Sequence, residues 1–286
     1  MKIIIKTLLA GIFIIAIIKV HAQQAPEKMK ATSAHAPVSG INMYYEVYGN
    51  GDIPLVLLHG GGSTIQTSFE NIIPFLAAGN KVIAIEAQAH GRTTDRDTPE
   101  SFVQDADDAA ALLKHLNIAK ANFMGFSNGG TTALQIAIRH PELVNKIVVI
   151  AGAYQREGFM QGFFDFMPTA TFDSMPQQLK DAFMKVNPNH ALLVNMFEKD
   201  KARMVNFKDI GDDQIRGIKV PALFMVGDKD VITVDHTIKM ARLIAGAQLS
   251  VIPGIHGECI GEAGSGAPDS KLPQSTALLV NKFLAK

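Results

Sequence analysis

The chain has 286 residues, 47% of them hydrophobic and 19% charged, with a formal net charge of zero. That is enough for one large domain or two small ones with a sizeable core, and the absence of basic runs and acidic tails argues against a nucleic-acid partner. A single cysteine, Cys259, excludes an internal disulfide and any zinc site built from cysteine pairs.

The first residues read as a targeting segment. Lys2 and Lys6 precede an apolar run from Thr7 to Ile18, and Val20-His21-Ala22 offers a cleavage site before Gln23. The run falls short of the ~20 residues a spanning helix needs, although Lys19 is unusual so close to the cut. No cysteine follows the run, which argues against a lipid anchor. Loss of residues 1–22 removes three lysines and no acids, taking the net charge from zero to −3. The expectation is an exported chain, periplasmic or secreted, with no stable membrane insertion after cleavage. Residues 23–36 are rich in Gln, Lys, Ala, Ser and Pro and read as a disordered leader.

From Pro37 the pattern becomes regular. Ile41 to Tyr48 alternates as a strand and ends in the turn Gly49-Asn50-Gly51-Asp52. Ala121 to Met124 is strand-like, and Pro54 to Leu58, Lys81 to Ile85, Lys146 to Ile150, Val220 to Val226 and Gln248 to Ile252 are short apolar runs. Such runs suit strands buried on both faces of a parallel sheet. Helical spacing falls between them, at Phe102 to Leu116, Thr131 to Arg139, Val234 to Ala245 and Leu272 to Leu284. The expected fold is therefore α/β: a mostly parallel sheet flanked by helices. Its two parts are residues 37–152 and 218–286. Between them, residues 153–217 break the alternation. This stretch holds eight Phe and six Met, with Pro168, Pro176 and Pro188 between helical segments. It reads as an inserted helical lid.

The chemistry centres on Gly125-Phe126-Ser127-Asn128-Gly129. This G-x-S-x-G string follows a strand-like run and precedes a helix-like one. That is the setting of a nucleophile elbow, where a sharp turn exposes the serine hydroxyl. A serine nucleophile needs a base and an acid to orient the base. Asp228 and Asp230 both follow the predicted strand Val220 to Val226, where catalytic groups collect; either could instead cap the next helix. His256 lies on a loop after the last strand. His236 opens a helix and is the second candidate, while His115 and His140 sit on or beside helices as surface residues. Backbone N–H donors for an oxyanion are expected from Asn128, just after the serine, and from Gly61 in the loop His59-Gly60-Gly61-Gly62-Ser63. His59 reads as a structural residue of that loop. Gly60 and Phe126 beside these motifs, with Phe163 and Met167 of the insertion, are the candidate substrate contacts.

These motifs resemble the α/β-hydrolase superfamily from about Pro37 to the C-terminus. The resemblance rests on Leu57-Leu58-His59-Gly60-Gly61-Gly62, Ala89-His90-Gly91-Arg92-Thr93 and Gly125 to Gly130, with Arg139 to Val144, Val226 to Asp230 and Pro253 to His256. It implies a Ser-Asp-His triad, and the family's G-x-x-D register favours Asp230 over Asp228. It also implies an acyl-enzyme mechanism without metal or organic cofactor. Two departures stand out. Glu86-Ala87-Gln88-Ala89 replaces the Asp-x-x-Gly common in relatives, so substrate contacts of that loop do not carry over. Serine at the nucleophile position argues against the epoxide hydrolase and haloalkane dehalogenase branches, which use Asp. The expected activity is carboxylic ester hydrolysis on a small, uncharged, apolar substrate. Amide, lactone or carbon–carbon bond hydrolysis are the alternatives within the fold. The lid shows no acidic cluster to mark an amine site, and a non-catalytic ligand-binding role is the alternative of a different class.

Overall fold

Runs such as Leu55-Val56-Leu57-Leu58 and Val82-Ile83-Ala84-Ile85 carry no polar side chain, so they gain stability only where both faces are covered. All eight residues are buried at the centre of the sheet. The computed structural model describes residues 30–266 and 270–285. The expected leader cut at Gln23 and the apolar N-terminal run lie outside the described residues.

In chain order the elements are β1 (Thr32–Val38), β2 (Ile41–Tyr48), β3 (Leu55–Leu58), α1 (Ile65–Phe69), α2 (Ile73–Ala77), β4 (Val82–Ile85), α3 (Phe102–His115), β5 (Ala121–Phe126), α4 (Asn128–Arg139) and β6 (Val144–Ile150). Then come α5 (Phe163–Phe166), α6 (Gln177–Val186), α7 (His190–Val205), α8 (Asp212–Gly217), β7 (Ala222–Lys229), α9 (Val234–Leu243), β8 (Gln248–Ile255) and α10 (Leu272–Leu284). The eight strands form one sheet in the order β1-β2-β4-β3-β5-β6-β7-β8. β1, β2 and β4 pair antiparallel; from β4 onward to β8 every pair is parallel.

Side chains alternate across the sheet with the period of two that a strand imposes. Val56, Leu58, Ile83, Ile85, Phe123, Ile147, Val149 and Phe224 face one core with α3, α4, α8 and α9. Leu55, Leu57, Val82, Ala84, Met124, Val148, Ile150 and Met225 face the other with α1, α2 and α10. α3 shows how the pattern works. Ala106, Ala109, Leu112 and Leu113 make its buried stripe; the Ser101 hydroxyl accepts from the Gln104 N–H at its start, and Asn117 takes a left-handed φ of 55° just past its end.

The structure revises two expectations and adds two helices. The leader does not extend to residue 36, because Thr32–Val38 pairs along its whole length with Ile41–Val47 as the edge strand β1. The lid is narrower than 153–217. Tyr154, Ile210 and Ile215 belong to one core of the sheet and Phe159 packs against the other, so the part that stands apart lies between Phe159 and Ile210. There Met175, Leu179, Phe183, Leu193 and Met196 form a separate small core between α6 and α7. Finally, α1 and α2 follow β3, where sequence periodicity is too short to announce them. α1 is instead marked by a reciprocal Thr64–Thr67 cap, and α2 by Pro74 in its first turn. No described helix is long and apolar enough to cross a membrane.

Candidate active site

The loops at the carboxyl ends of β3, β5, β7 and β8 meet beneath the lid, where a parallel sheet presents its functional groups. The turn from β5 into α4 places Ser127 at φ 54°, ψ −118°, an uncommon conformation for a residue with a Cβ. The turn is held by the Ser127 N–H donating to the Ile150 carbonyl and by the Gly130 N–H donating to the Ser127 carbonyl, both 2.9 Å. Its glycines are required by contact. A Cβ on Gly125 would lie 1.9 Å from the Gly129 carbonyl oxygen, and one on Gly129 would lie 2.0 Å from the Leu58 carbonyl oxygen.

His256 Nε2 lies 3.0 Å from Ser127 Oγ, and His256 Nδ1 lies 2.7 Å from Asp230 Oδ1. The Asp230 carboxylate is buried and also accepts the Ile232 N–H at 3.0 Å. Asp228, the other acid considered, accepts the Gly254 N–H at 2.7 Å and so fixes the β8 loop that carries His256. His236 lies elsewhere: its Nε2 accepts the Tyr154 N–H and its ring stacks on Tyr154. Burial lowers its pKa to about 4, which suits a neutral acceptor in the core.

The three glycines after His59 divide their work. The Gly60 N–H donates to Ser68 Oγ at 3.4 Å, and the Gly62 N–H donates to the Asp200 carboxylate. Among the described residues no protein acceptor takes the N–H of Gly61 or of Asn128. The two residues are adjacent, since a Cβ on Gly61 would lie 2.6 Å from Asn128 Nδ2. The expected pair of donors is thus brought together and left open. His59 orders the loop: its Nδ1–H donates to the Gly60 carbonyl (2.7 Å) and its Nε2 accepts the Ala87 N–H (3.0 Å). Burial, with the cationic His90 nearby, lowers its pKa to about 3.

A cavity of about 220 Å³ opens at Gly61, Gly62 and Asn128 and runs under the lid between Met167, Met175, Leu179 and Phe197. Of the expected substrate contacts, Met167 lines this cavity and the other three do not. Gly60 lines a separate space of about 20 Å³ behind the elbow. Phe126 is buried and packs its ring against His256, centroids 4.8 Å apart; the β5 alternation sends it beneath the histidine. Phe163 stacks on Phe159 at 4.5 Å, within an aromatic group that includes Phe164 and Phe207.

Two residues at the site, Asp200 and Glu262, carry no sequence signal, and His90 gives one only as part of a family motif. Asp200 of α7 reaches from the lid to the glycine loop; His90 Nε2–H donates to it at 2.9 Å, and Arg203 pairs with it from the next turn. Burial works against ionisation of Asp200, but Arg203 and His90 outweigh it and hold the carboxyl well below its usual range. Burial alone would lower the His90 pKa, yet the Asp200 carboxylate raises it to about 9. Glu262, buried behind the loop, accepts from Ser63 Oγ at 3.2 Å and from the Gly264 N–H at 2.6 Å, and burial raises its pKa. The departure at Glu86 is structural. Glu86 is fully buried and accepts from the N–H and Nε of Arg92 at 2.7 and 3.1 Å. Ala89 takes φ 62° in a position that glycine fills without strain. Among the described residues no group of His, Cys, Asp and Glu side chains is placed to hold a metal.

The α/β hydrolase fold family model matches residues 53–186. The human serine hydrolase BPHL is 28% identical over 236 residues, covering 78% of this chain and 79% of that protein. Among solved structures, a meta-cleavage product hydrolase from Pseudomonas fluorescens superposes with a TM-score of 0.72 at 20% identity, covering 90% of this chain and 98% of that one. The enol-lactonase from Burkholderia xenovorans superposes with a TM-score of 0.65 at 22% identity, covering 88% and 100%. The sheet and its flanking helices have the α/β-hydrolase fold.

Proposed function

We propose that the protein hydrolyses carboxylic esters through an acyl-enzyme on Ser127. The observation that carries this reading is the chain of contacts from Asp230 through His256 to Ser127, beside two open amide donors. His256 takes the Ser127 proton as Oγ attacks the ester carbonyl. Asp230 keeps the Nδ1–H tautomer, so that Nε2 faces the serine, and stabilises the imidazolium that forms. The N–H groups of Gly61 and Asn128 receive the developing oxyanion. His256 then protonates the departing alcohol, and water attacks the acyl-enzyme with His256 as base. Lactone or carbon–carbon bond hydrolysis is the second reading, favoured by the named activities of the meta-cleavage product hydrolase and enol-lactonase neighbours. A panel of esters, lactones and vinylogous ketones assayed on one purified preparation separates the readings: ester turnover well above the others supports ours, and its absence removes it.

The cavity walls imply a preference for uncharged, apolar groups, because methionine and leucine side chains adapt to varied apolar shapes. Each well-buried methylene adds up to ~0.8 kcal/mol of binding, less than a factor of ten in affinity. kcat/KM is expected to rise along an acyl series and to level off when the cavity is full. A flat series, or a preference for a charged ester of equal length, contradicts this pocket.

Export is the remaining element of the proposal. The basic, then apolar, N-terminal run supports it. Mature protein is expected to begin at Gln23, and N-terminal sequencing of chain recovered from the expressing cells checks this. An intact Met1 in the membrane fraction overturns it.

A further inference from the structure

Asp200 belongs to the lid, yet its carboxylate ends among the groups that surround the nucleophile. One oxygen accepts the Gly62 N–H and the His90 Nε2–H; the other accepts from Asn128 Nδ2 at 3.4 Å and from Arg203. The four donors come from the loop after β3, the loop after β4, the start of α4 and α7 itself. Only the Arg203 contact is local. The carboxylate is therefore the point at which the lid, the glycine loop and the residue after Ser127 are joined.

This arrangement is costly unless it does something. An anion close to the place where a second negative charge develops opposes the reaction, and two cations, Arg203 and His90, are buried alongside to offset it. Glu100 and Asp105 complete the group, with Asp105 accepting from Arg203 at 2.7 Å and Glu100 lying 3.5 Å from it. Asp200 is also saturated, so it has no free lone pair with which to capture a cationic substrate. What it controls is orientation. Gly62 sits at φ 68°, and fixing its N–H fixes the peptide plane that joins it to Gly61. Holding Asn128 Nδ2 restrains the other donor's residue from the far side.

We propose that Asp200 is a positioning residue for the oxyanion hole: a lid carboxylate that holds Gly62 and Asn128 so that the N–H groups of Gly61 and Asn128 converge. This rests on the acyl-transfer reading of the site. It makes the hole dependent on the lid, because the clamp leaves with α7.

Asp200→Asn tests it by direction. If Asp200 were only a nearby negative charge, neutralising it would speed the reaction. If it clamps, one amide oxygen cannot replace two carboxylate oxygens facing four donors, and the hole loosens. The expected result is kcat lower by about 10- to 100-fold, a fraction of the 10²–10³ that follows outright loss of an oxyanion donor. KM should change by less than about threefold. Inhibition by phenylboronic acid, which forms a tetrahedral adduct on an active serine, should weaken in proportion to kcat. A merely structural role lowers the melting temperature but leaves kcat per active site and boronate affinity unchanged, and that result overturns the proposal. So does a faster enzyme.

Wild-type protein supplies a test that does not depend on the variant folding. Only Gly61, Gly62 and Gly130 follow another glycine, so glycine labelled with ¹³C and ¹⁵N gives three selected amide resonances. A charge-assisted bond to a carboxylate should place the Gly62 proton clearly downfield of the other two; three similar shifts refute the clamp. Ser127→Ala, assayed alongside, separates the two levels of claim. Turnover retained in that variant removes the nucleophile assignment, whereas turnover lost there but normal in Asp200→Asn removes the clamp alone.

Discussion

Ser127→Ala is expected to lower ester turnover by at least about 10⁴-fold, because removal of a triad nucleophile eliminates most of the acceleration such a unit provides. The residual rate would come from binding and from the oxyanion donors. The fold should be little affected. Ser127 Oγ has His256 as its side-chain partner, and the backbone bonds that hold the elbow come from its N–H and carbonyl, which alanine retains. A fluorophosphonate probe should label the wild-type protein and fail to label the variant. Near wild-type turnover in the purified variant sinks the acyl-enzyme reading, and failure of the wild-type protein to label favours the ligand-binding alternative.

Asp230→Asn is expected to cost about 10³- to 10⁴-fold in kcat, while Asp228→Asn costs less than about tenfold. The two residues lie in one short segment but hold different partners. Asp230 faces His256 Nδ1, so its charge stabilises the imidazolium and its acceptor oxygen selects the tautomer. An amide supplies no charge and can turn its NH₂ toward the ring. Asp228 instead receives a backbone N–H of the β8 loop, a bond that an amide oxygen can also accept. Measuring kcat for both variants on one ester checks this, and the opposite ranking would reassign the acid.

The parts of the site that were legible in the sequence are those fixed by local geometry. The elbow needs glycine at 125 and 129 because backbone oxygens stand within 2.0 Å of where a Cβ would be, so its pattern is written in adjacent residues. Asp230 and His256 were legible by order and by position after strands. Phe126 was misplaced as a substrate contact because a pattern names the residue beside the serine but not the face toward which β5 turns it. Strand β1, Thr-Ser-Ala-His-Ala-Pro-Val, has small and polar side chains and gains its extended form from pairing with β2. Asp200 was invisible for a different reason. In Glu198-Lys199-Asp200-Lys201 it reads as one charge on a solvated helix face, and the partners that give it meaning lie at positions 62, 90 and 128.

The separate apolar core of the lid has a consequence for how such a protein changes over generations. Met175, Leu179, Phe183, Leu193 and Met196 pack against one another rather than within the two cores of the sheet. Mutations there can reshape the cavity while the scaffold that aligns serine, histidine and aspartate keeps its own stability margin. Substrate range can then drift by small steps without passing through unfolded intermediates. The freedom is bounded at α7, where the same helix contributes Leu193 and Met196 to the lid core and Asp200 to the glycine loop. Descendants that exchange their lids are therefore expected to keep an acidic group at this junction, or to replace it with another acceptor for the Gly62 N–H.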